Sequence, residues 1–183
     1  MTYEMNIAGL KRDLPICKVA DDLYIGAFIL FGDVELTEHC AAELLKRVPE
    51  YDYLVAPEAK AIPLIHEMAR QSGANKYVVA RKHIKAYMGN AVGVYVKSIT
   101  TAFEQHLYID ETDANMIRGK RVLIIDDVIS TGASVDAVRQ LVEQVGGNVV
   151  GYATPVAEGE AYYRDDIIAL AQLPLFNPDG SVR

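Results

Sequence analysis

The segment from Arg121 to Ser134 constrains the fold more than any other part of the chain. It opens with RVLIIDD (121–127), and its uninterrupted apolar run is typical of a central parallel strand covered on both faces. A loop of small residues follows, and ASVDAVRQLVEQVGG then predicts a helix that stops at glycine. Two acids, Asp126 and Asp127, therefore stand where a buried strand gives way to a loop.

Strand and helix signals also alternate elsewhere, which favours an α/β domain with a mostly parallel central sheet flanked by helices. YDYLVA (51–56) and KYVVARK (76–82) predict strands, as does NVVGYATPVA, and IPLIHEMARQSG predicts a helix closed by Gly73. Thr37 is the expected N-cap of an earlier helix, and the first thirty residues are expected to be irregular. Parallel sheets bind ligands beyond the carboxyl ends of their strands, so the loops after residues 56, 82 and 127 are the candidate site.

Composition excludes several classes of protein. The 183 residues suggest one domain, and the net charge of −7 disfavours a general nucleic-acid binder, because such proteins neutralise phosphates. The longest apolar stretch, Leu23–Gly32, is too short to span a bilayer, and the first residues do not resemble a signal peptide. Cys17 and Cys40 are expected to be reduced thiols in a cytoplasmic protein.

The loop after the central strand has the composition of a phosphate site. Its residues are small, so backbone N–H groups and the positive end of the following helix can surround an anion. Glycine permits backbone geometry that other residues resist. The candidate phosphate ligands are Ser130, Thr131, Gly132, Ala133 and Ser134.

The acid pair calls for a different partner, because carboxylates repel a phosphate. Vicinal hydroxyls suit Asp126 and Asp127, since a carboxylate accepts hydrogen bonds from both. A phosphate loop beside acids that hold a diol describes a ribose 5-phosphate site. The Walker pattern G-x-x-x-x-G-K is absent, and no Lys lies in the loop. The alternative is an ordinary strand–turn–helix in which the acids merely cap the helix.

The thirteen residues VLIIDDVISTGAS (122–134) resemble the phosphoribosyl-pyrophosphate signature of type I phosphoribosyltransferases, with four apolar residues, two acids, two apolar residues and a Ser/Thr/Gly-rich loop. The resemblance implies the fold of that family, with a small N-terminal hood over residues 1–33 and a core over 34–183. It also implies a lid over about 84–108, where VGVYVKSITTAF could instead form a fixed β-hairpin arm.

Two basic segments match the places where this family binds pyrophosphate. Glu58-Ala59-Lys60 resembles the pyrophosphate loop of the adenine phosphoribosyltransferases, which often holds a non-proline cis peptide, and Arg81-Lys82 resembles the basic pair that follows. Lys85 is a further candidate. The alternatives are a solvated helix start and a solvated basic strand end. The resemblance assigns catalysis to Asp126, Asp127, Lys60 and Arg81.

The base-binding side is less defined. Phe31, in Phe31-Gly32-Asp33, is the candidate that stacks on the base, although a Phe in an apolar run is often a core residue. LPLF (173–176) could close the base pocket or cover the hood. The acidic lid motif of the adenine enzymes is not reproduced, and Glu104 is the nearest acid.

The resemblance thus implies a purine phosphoribosyltransferase, adenine-like, that binds phosphoribosyl pyrophosphate and acts in nucleotide salvage as a homodimer. Mg²⁺ is expected to be held mainly by the substrate, near Asp126 or Asp127, because the four histidines lack metal-ligand spacing. The alternatives are a phosphoribosyltransferase for another base, orotate or xanthine-like, and a non-catalytic regulator that binds phosphoribosyl pyrophosphate.

Overall fold

The computed structural model describes residues 1–97 and 104–183. The strands of this part are β1 (Thr2–Ile7), β2 (Leu10–Ala20), β3 (Leu23–Gly26), β4 (Tyr53–Pro57), β5 (Val78–Ala80), β6 (Val92–Lys97), β7 (Glu104–Ile109), β8 (Arg121–Ile125), β9 (Val128–Ile129), β10 (Asn148–Glu158), β11 (Ile167–Leu173) and β12 (Leu175–Phe176). Its α-helices are α1 (Val34–Leu45), α2 (Ile62–Ser72), α3 (Glu111–Ile117) and α4 (Ala133–Gln144).

The central sheet is parallel, as predicted. Its strands follow the order β11-β10-β8-β4-β5, and β9 continues beside β10. The helix α4 packs on one face, and α1 and α2 pack together on the other. This arrangement confirms the α/β class, and it brings the carboxyl ends of β4, β5, β8 and β10 to one edge.

Strand β8 is buried on both faces, which explains its continuous apolar sequence. Leu123 and Ile125 belong to the core that contains residues of α1 and α2, whereas Val122 and Ile124 belong to the core that contains residues of α4. All four are fully buried. Burying one such side chain stabilises the fold by about 1.5–3 kcal/mol, so both layers depend on this strand.

The predicted cap of the first helix was wrong by one turn. Asp33 is the N-cap of α1, and its Oδ1 accepts a hydrogen bond of 3.0 Å from the backbone N–H of Leu36. Arg12 holds Asp33 in place with a contact of 2.6 Å and lowers the pKa of that carboxyl. Thr37 lies inside the helix and donates its hydroxyl to the Asp33 carbonyl. Gly73 closes α2 with φ of +76°, as predicted.

The first thirty residues are ordered rather than irregular, which corrects the prediction. Strands β1, β2 and β3 form an antiparallel sheet with β12, in the order β1-β2-β3-β12. Ala8 and Gly9 join β1 to β2 with φ of 52° and 84°, the left-handed pair of a tight hairpin turn. Alanine rarely adopts this geometry, so the turn had no sequence signature.

The LPLF segment covers the N-terminal sheet. Leu175 and Phe176 pair with Ile25 and Tyr24, and the fully buried Phe176 ring meets Tyr3 edge-on at 5.1 Å. Leu175 and Phe176 thus cover the hood, whereas Leu173, at the start of the same segment, faces a cleft at the edge of the central sheet. That this segment closes a base pocket stays a prediction. The division into a hood over 1–33 and a core over 34–183 stays a prediction.

Part of the predicted lid is an antiparallel hairpin made by β6 and β7. Arg81 and Tyr108 exchange two backbone hydrogen bonds of 2.8 Å, which join β7 to the end of β5. Residues 98–103 of the predicted lid lie outside the described residues, and Glu104 is the first residue of β7. That this hairpin moves as a lid stays a prediction.

The longest helices of the described part, α1 and α4, have 12 residues each. None of its helices combines the length and the apolar character that a bilayer crossing requires.

The packing of β12 predicts that Phe176→Ala lowers the free energy of unfolding by about 3–5 kcal/mol, because it leaves a cavity under the N-terminal sheet. Urea unfolding followed by circular dichroism measures this change. The matched control is Phe31→Ala, since Phe31 is 51% exposed, and it should cost less than about 1 kcal/mol. Equal losses for the two variants would contradict the role of Phe176.

Candidate active site

A cleft of about 540 Å³ opens at the carboxyl edge of the central sheet. Three parts of the chain form most of its walls: residues 25–29 after the N-terminal sheet, residues 57–60 after β4, and the acid pair and loop after β8. The sequence placed the site after residues 56, 82 and 127; the loops after 56 and 127 contribute to the lining, whereas the third contributes only Lys82 at its start. The cleft therefore collects residues that are far apart in the sequence.

The small-residue loop after β8 forms a pocket of its own, about 70 Å³, at the start of α4. Residues 130–134 all line it, and Ser130 and Ser134 also face the larger cleft. Gly132 precedes the helix with φ of +84°, a conformation that favours glycine. The exposed first N–H groups of α4 have no partner within a helix, so an anion in this pocket would satisfy them.

Arg164 lies behind this loop, and sequence reasoning missed it. A Cβ on Gly132 would collide with the guanidinium of Arg164. Asp166 holds that guanidinium with two hydrogen bonds of 2.9 and 2.8 Å, and Arg164 lies 5.8 Å from the ring centroid of Tyr152. The guanidinium, which is paired with Asp166, thus supports the loop from behind.

Asp126 and Asp127 line the cleft but are largely buried, each 6% exposed. Asp126 Oδ1 accepts a hydrogen bond of 2.9 Å from the N–H of Asp127, whereas Asp127 Oδ2 is buried without a partner in the described residues. Burial raises the pKa of both carboxyls, and the charge of Asp127 raises that of Asp126 further. Lys60 opposes these shifts, so additional cations or hydroxyl donors in the cleft would favour ionisation.

The acid pair fits a magnesium ion that is held mostly by substrate. The partnerless Asp127 Oδ2 is a hard oxygen ligand of the kind Mg²⁺ prefers. Among residues 1–97 and 104–183, no group of three or more His, Cys, Asp or Glu side chains could hold a metal. Mg²⁺ commonly uses one or two carboxylates and takes its remaining ligands from water and phosphates.

Glu58 organises the predicted pyrophosphate loop. The Glu58–Ala59 peptide bond is cis, as the resemblance implied. Glu58 Oε2 accepts a hydrogen bond of 3.0 Å from the N–H of Lys82 and lies 3.5 Å from Arg81 Nε. The carboxylate thus ties the loop after β4 to the end of β5. Its backbone N–H donates to the Ala80 carbonyl at 2.9 Å, so both its amide and its carboxylate connect these two strands.

Only some of the predicted basic residues face the cleft. Lys60 and Lys82 line it and are exposed. Arg81 is not part of the lining, because its guanidinium pairs with Glu58. Lys85 lies outside the lining as well, in a turn closed by a hydrogen bond from Met88 N–H to its carbonyl.

The aromatic side chain that lines the cleft lies three residues before the predicted stacking residue. Phe31 does not line the cleft, whereas the buried Phe28 does. Leu107 of β7, Val128 and Leu173 complete the apolar part of the wall. The four-residue run from Phe28 to Phe31 offers two aromatic rings, and the sequence does not say which of them turns inward.

Glu158 is a lining residue that sequence reasoning missed. It is the last residue of β10 and is half-buried, and burial raises its pKa. A signal for it existed, because an acid ends the buried strand NVVGYATPVAE just as two acids end RVLII. Ligands bind beyond the carboxyl ends of parallel strands, and the prediction named the loops after three strands but left out the end of β10.

Comparison with known proteins places this geometry in a family. The profile of the phosphoribosyl transferase domain matches residues 35–173. This chain belongs to that family. The match includes the acid pair, the phosphate loop, the Glu58–Lys60 loop and Glu158, but it begins after Phe28 and Phe31.

Individual phosphoribosyltransferases are also similar to this chain in sequence or in structure. The adenine phosphoribosyltransferase of Petrotoga mobilis is 26% identical over 98% of this chain and 94% of its own length. The hypoxanthine/guanine phosphoribosyltransferase of Methanothermobacter thermautotrophicus is 33% identical over 81% of this chain and 76% of its own. The crystal structure of adenine phosphoribosyltransferase from Thermoanaerobacter pseudethanolicus superposes with a TM-score of 0.65 at 22% identity, covering 94% of this chain and 95% of that one.

The geometry of the phosphate loop predicts that Gly132→Ala weakens binding of ribose 5-phosphate at least about tenfold, because alanine resists φ of +84° and collides with Arg164. Isothermal titration calorimetry measures the dissociation constant. Gly119→Ala is the matched control, since Gly119 also has a positive φ, of +69°, but nothing lies within 4 Å of a Cβ there. Equal affinity for wild type and Gly132→Ala would contradict the phosphate site.

The burial of Asp126 and Asp127 also predicts that the free energy of unfolding depends on pH. A carboxyl with a raised folded-state pKa favours folding while protonated, and this contribution is lost as the pH rises through that pKa. Asp126→Asn should therefore stabilise the ligand-free protein at pH 8 by about 0.5–2 kcal/mol, and by less at pH 5. Urea unfolding at the two pH values measures the difference, with the exposed Asp165→Asn as control. A variant that is less stable than wild type at pH 8 would contradict the burial argument.

Proposed function

We propose that this phosphoribosyltransferase moves the 5-phosphoribosyl group of phosphoribosyl pyrophosphate onto a purine base, releases pyrophosphate, and serves nucleotide salvage. The observation that carries the proposal is the small-residue loop and the acid pair in a single cleft, since together they match the phosphate and the diol of one ribose 5-phosphate. The adenine and hypoxanthine/guanine phosphoribosyltransferases among its relatives support a purine acceptor.

The phosphate loop would hold the 5-phosphate. The backbone N–H groups of residues 130–134 and the Ser and Thr hydroxyls surround the pocket at the start of α4. Binding energy from this unreactive end of the substrate holds C1 of the ribose in place for attack. The small side chains, with Ala133 among them, leave the backbone accessible to the phosphate.

Asp126 and Asp127 would bind the ribose hydroxyls. The partnerless Asp127 Oδ2 then gains a donor, which removes the cost of burying it alone. As the bond from C1 to pyrophosphate breaks, positive charge develops on the ribose, and the two carboxylates stabilise it. Mg²⁺, when bound with the substrate, would offset the negative charge that grows on the departing pyrophosphate.

Lys60 and Lys82 would contact pyrophosphate directly, since both face the cleft. Glu58 positions Arg81 and the backbone of Lys82, so Arg81 acts mainly through this pair. Lys85 would contact pyrophosphate only after residues 83–90 approach the substrate. Phe28 takes over the role proposed for Phe31, because it lies on the wall of the cleft.

A cytoplasmic homodimer completes the proposal. The segment beside the cleft exposes three apolar side chains, Ile29, Phe31 and Val34. Such a patch is typical of a surface covered by another protein, and a second copy of the chain is the partner implied by the family resemblance. The two free cysteines, Cys17 and Cys40, suit a reducing compartment.

The proposal predicts that purified protein releases pyrophosphate when given phosphoribosyl pyrophosphate, Mg²⁺ and a purine. Asp127→Asn should lower kcat by about 100-fold or more, because it removes charge stabilisation at the ribose. Ser134→Ala should raise the KM for phosphoribosyl pyrophosphate by about three- to tenfold with kcat nearly unchanged, because it removes one hydrogen bond.

A coupled pyrophosphate assay measures both effects. Ser72→Ala is the control, since Ser72 lies at the end of α2 and outside the cleft. Near-wild-type kinetics for both Asp127→Asn and Ser134→Ala would refute the assigned roles.

A further inference from the structure

The strand order separates the two ends of the cleft. In the sheet β11-β10-β8-β4-β5, the acid pair follows the middle strand β8. Lys60 and Lys82 follow β4 and β5, on one side of the acids. Glu158 ends β10, on the other side, and pairs in register with Leu173 of β11. The cations that suit pyrophosphate and the carboxylate of Glu158 therefore lie on opposite sides of the ribose site.

The side that holds Glu158 is otherwise apolar. Leu173 contacts the position that a Cβ on Gly26 would occupy, 3.2 Å away, so the N-terminal sheet lies against this end of β11. Ile25 and Phe28 line the same cleft. A flat apolar ring fits such a wall, and the ring must also meet the carboxylate of Glu158.

The carboxyl of Glu158 makes no hydrogen bond or ion pair to any residue within 1–97 and 104–183, unlike two other acids near the cleft. Glu58 is paired with Arg81, and Asp166 is paired with Arg164. The carboxyl of Glu158 is half-buried, and burial disfavours its charged form by raising its pKa. Because this carboxyl lines the cleft and no protein group is bonded to it, its oxygens can accept hydrogen bonds from a ligand there.

We propose that Glu158 selects the base by the substituent at C6, so that this enzyme prefers a 6-amino purine, adenine, over the corresponding 6-oxo purine, hypoxanthine. The inference rests on the proposed function and names its acceptor more narrowly. An exocyclic amino group donates to a carboxylate, whereas an oxo group in the same place presents lone pairs to it. A base that itself carries a carboxylate, such as orotate, would be repelled by Glu158 and is disfavoured more strongly.

Glu158→Gln tests the inference, because it keeps the size of the side chain and removes the charge. The measurement is kcat/KM for adenine, hypoxanthine, guanine and xanthine at saturating phosphoribosyl pyrophosphate. The ratio of adenine to hypoxanthine should fall about ten- to hundredfold, whereas the ratio of guanine to xanthine should stay unchanged, because those two bases share the oxo group at C6. The KM for phosphoribosyl pyrophosphate should stay within about twofold, since Glu158 lies away from the pyrophosphate side.

Glu160→Gln is the matched control. Glu160 is exposed two residues further along the chain and does not line the cleft, so its substitution should leave the ratios unchanged. Circular dichroism and the thermal midpoint show whether each variant folds. If Glu158→Gln does not fold, Glu158→Asp serves instead, because it withdraws the charge by one methylene and should also lower the ratio.

The outcomes separate the two proposals. Wild-type enzyme that uses a purine while Glu158→Gln keeps the wild-type ratios would overturn the role of Glu158 and leave the proposed function standing. Wild-type enzyme that prefers hypoxanthine, guanine or xanthine to adenine would also overturn it. Failure of the wild type to release pyrophosphate with any of the four purines would overturn the proposed function itself.

Discussion

The position of the central strand β8 determines the site, because a strand buried on both faces cannot shift without exposing one of two cores. Val122 and Ile124 hold it against the α4 layer, and Leu123 and Ile125 hold it against α1 and α2. Where the apolar residues end, Asp126 donates its backbone N–H to the Ala153 carbonyl at 3.1 Å, so the acid pair begins at a fixed point. The same packing fixes the start of α4 and therefore the phosphate pocket.

Charge is distributed across the cleft in the order of the strands. Basic residues follow β4 and β5, two acids follow β8, and a single acid ends β10 beside an apolar wall. A substrate that binds along this edge meets cations at one end, hydrogen-bond acceptors in the middle, and an apolar surface with one acceptor at the other end. This sequence of environments matches a pyrophosphate, a ribose and a base that donates hydrogen bonds. The raised pKa values of the acid pair show that the ligand-free site is unfavourable for charge until a substrate supplies partners.

The parts of the site that follow strong local patterns could be predicted from the sequence. The VLIIDDVISTGAS segment predicted the strand, the acids at its end and the small-residue loop that opens α4, since burial on both faces and small loop residues leave direct traces in composition. That this loop binds phosphate stays a prediction. The other features depend on contacts between residues that are far apart in the sequence. Asp33 rather than Thr37 caps α1 because Arg12, from a distant strand, holds it there. The Ala8-Gly9 turn lacks the usual hairpin residues, and only the paired strands reveal it. The choice of Phe28 over Phe31 depends on how the N-terminal sheet meets β11, which no short segment encodes, whereas the acid that ends β10 left a signal for Glu158 in the sequence.

A crystal structure of the protein with ribose 5-phosphate tests the central claim most directly. The account predicts that the 5-phosphate accepts hydrogen bonds shorter than about 3.2 Å from backbone N–H groups of residues 131–134. It also predicts that the ribose hydroxyls lie within hydrogen-bond reach of Asp126 and Asp127, directly or through one water. A ligand bound elsewhere, or a bound ribose with both carboxyl groups turned away from it, would contradict the account.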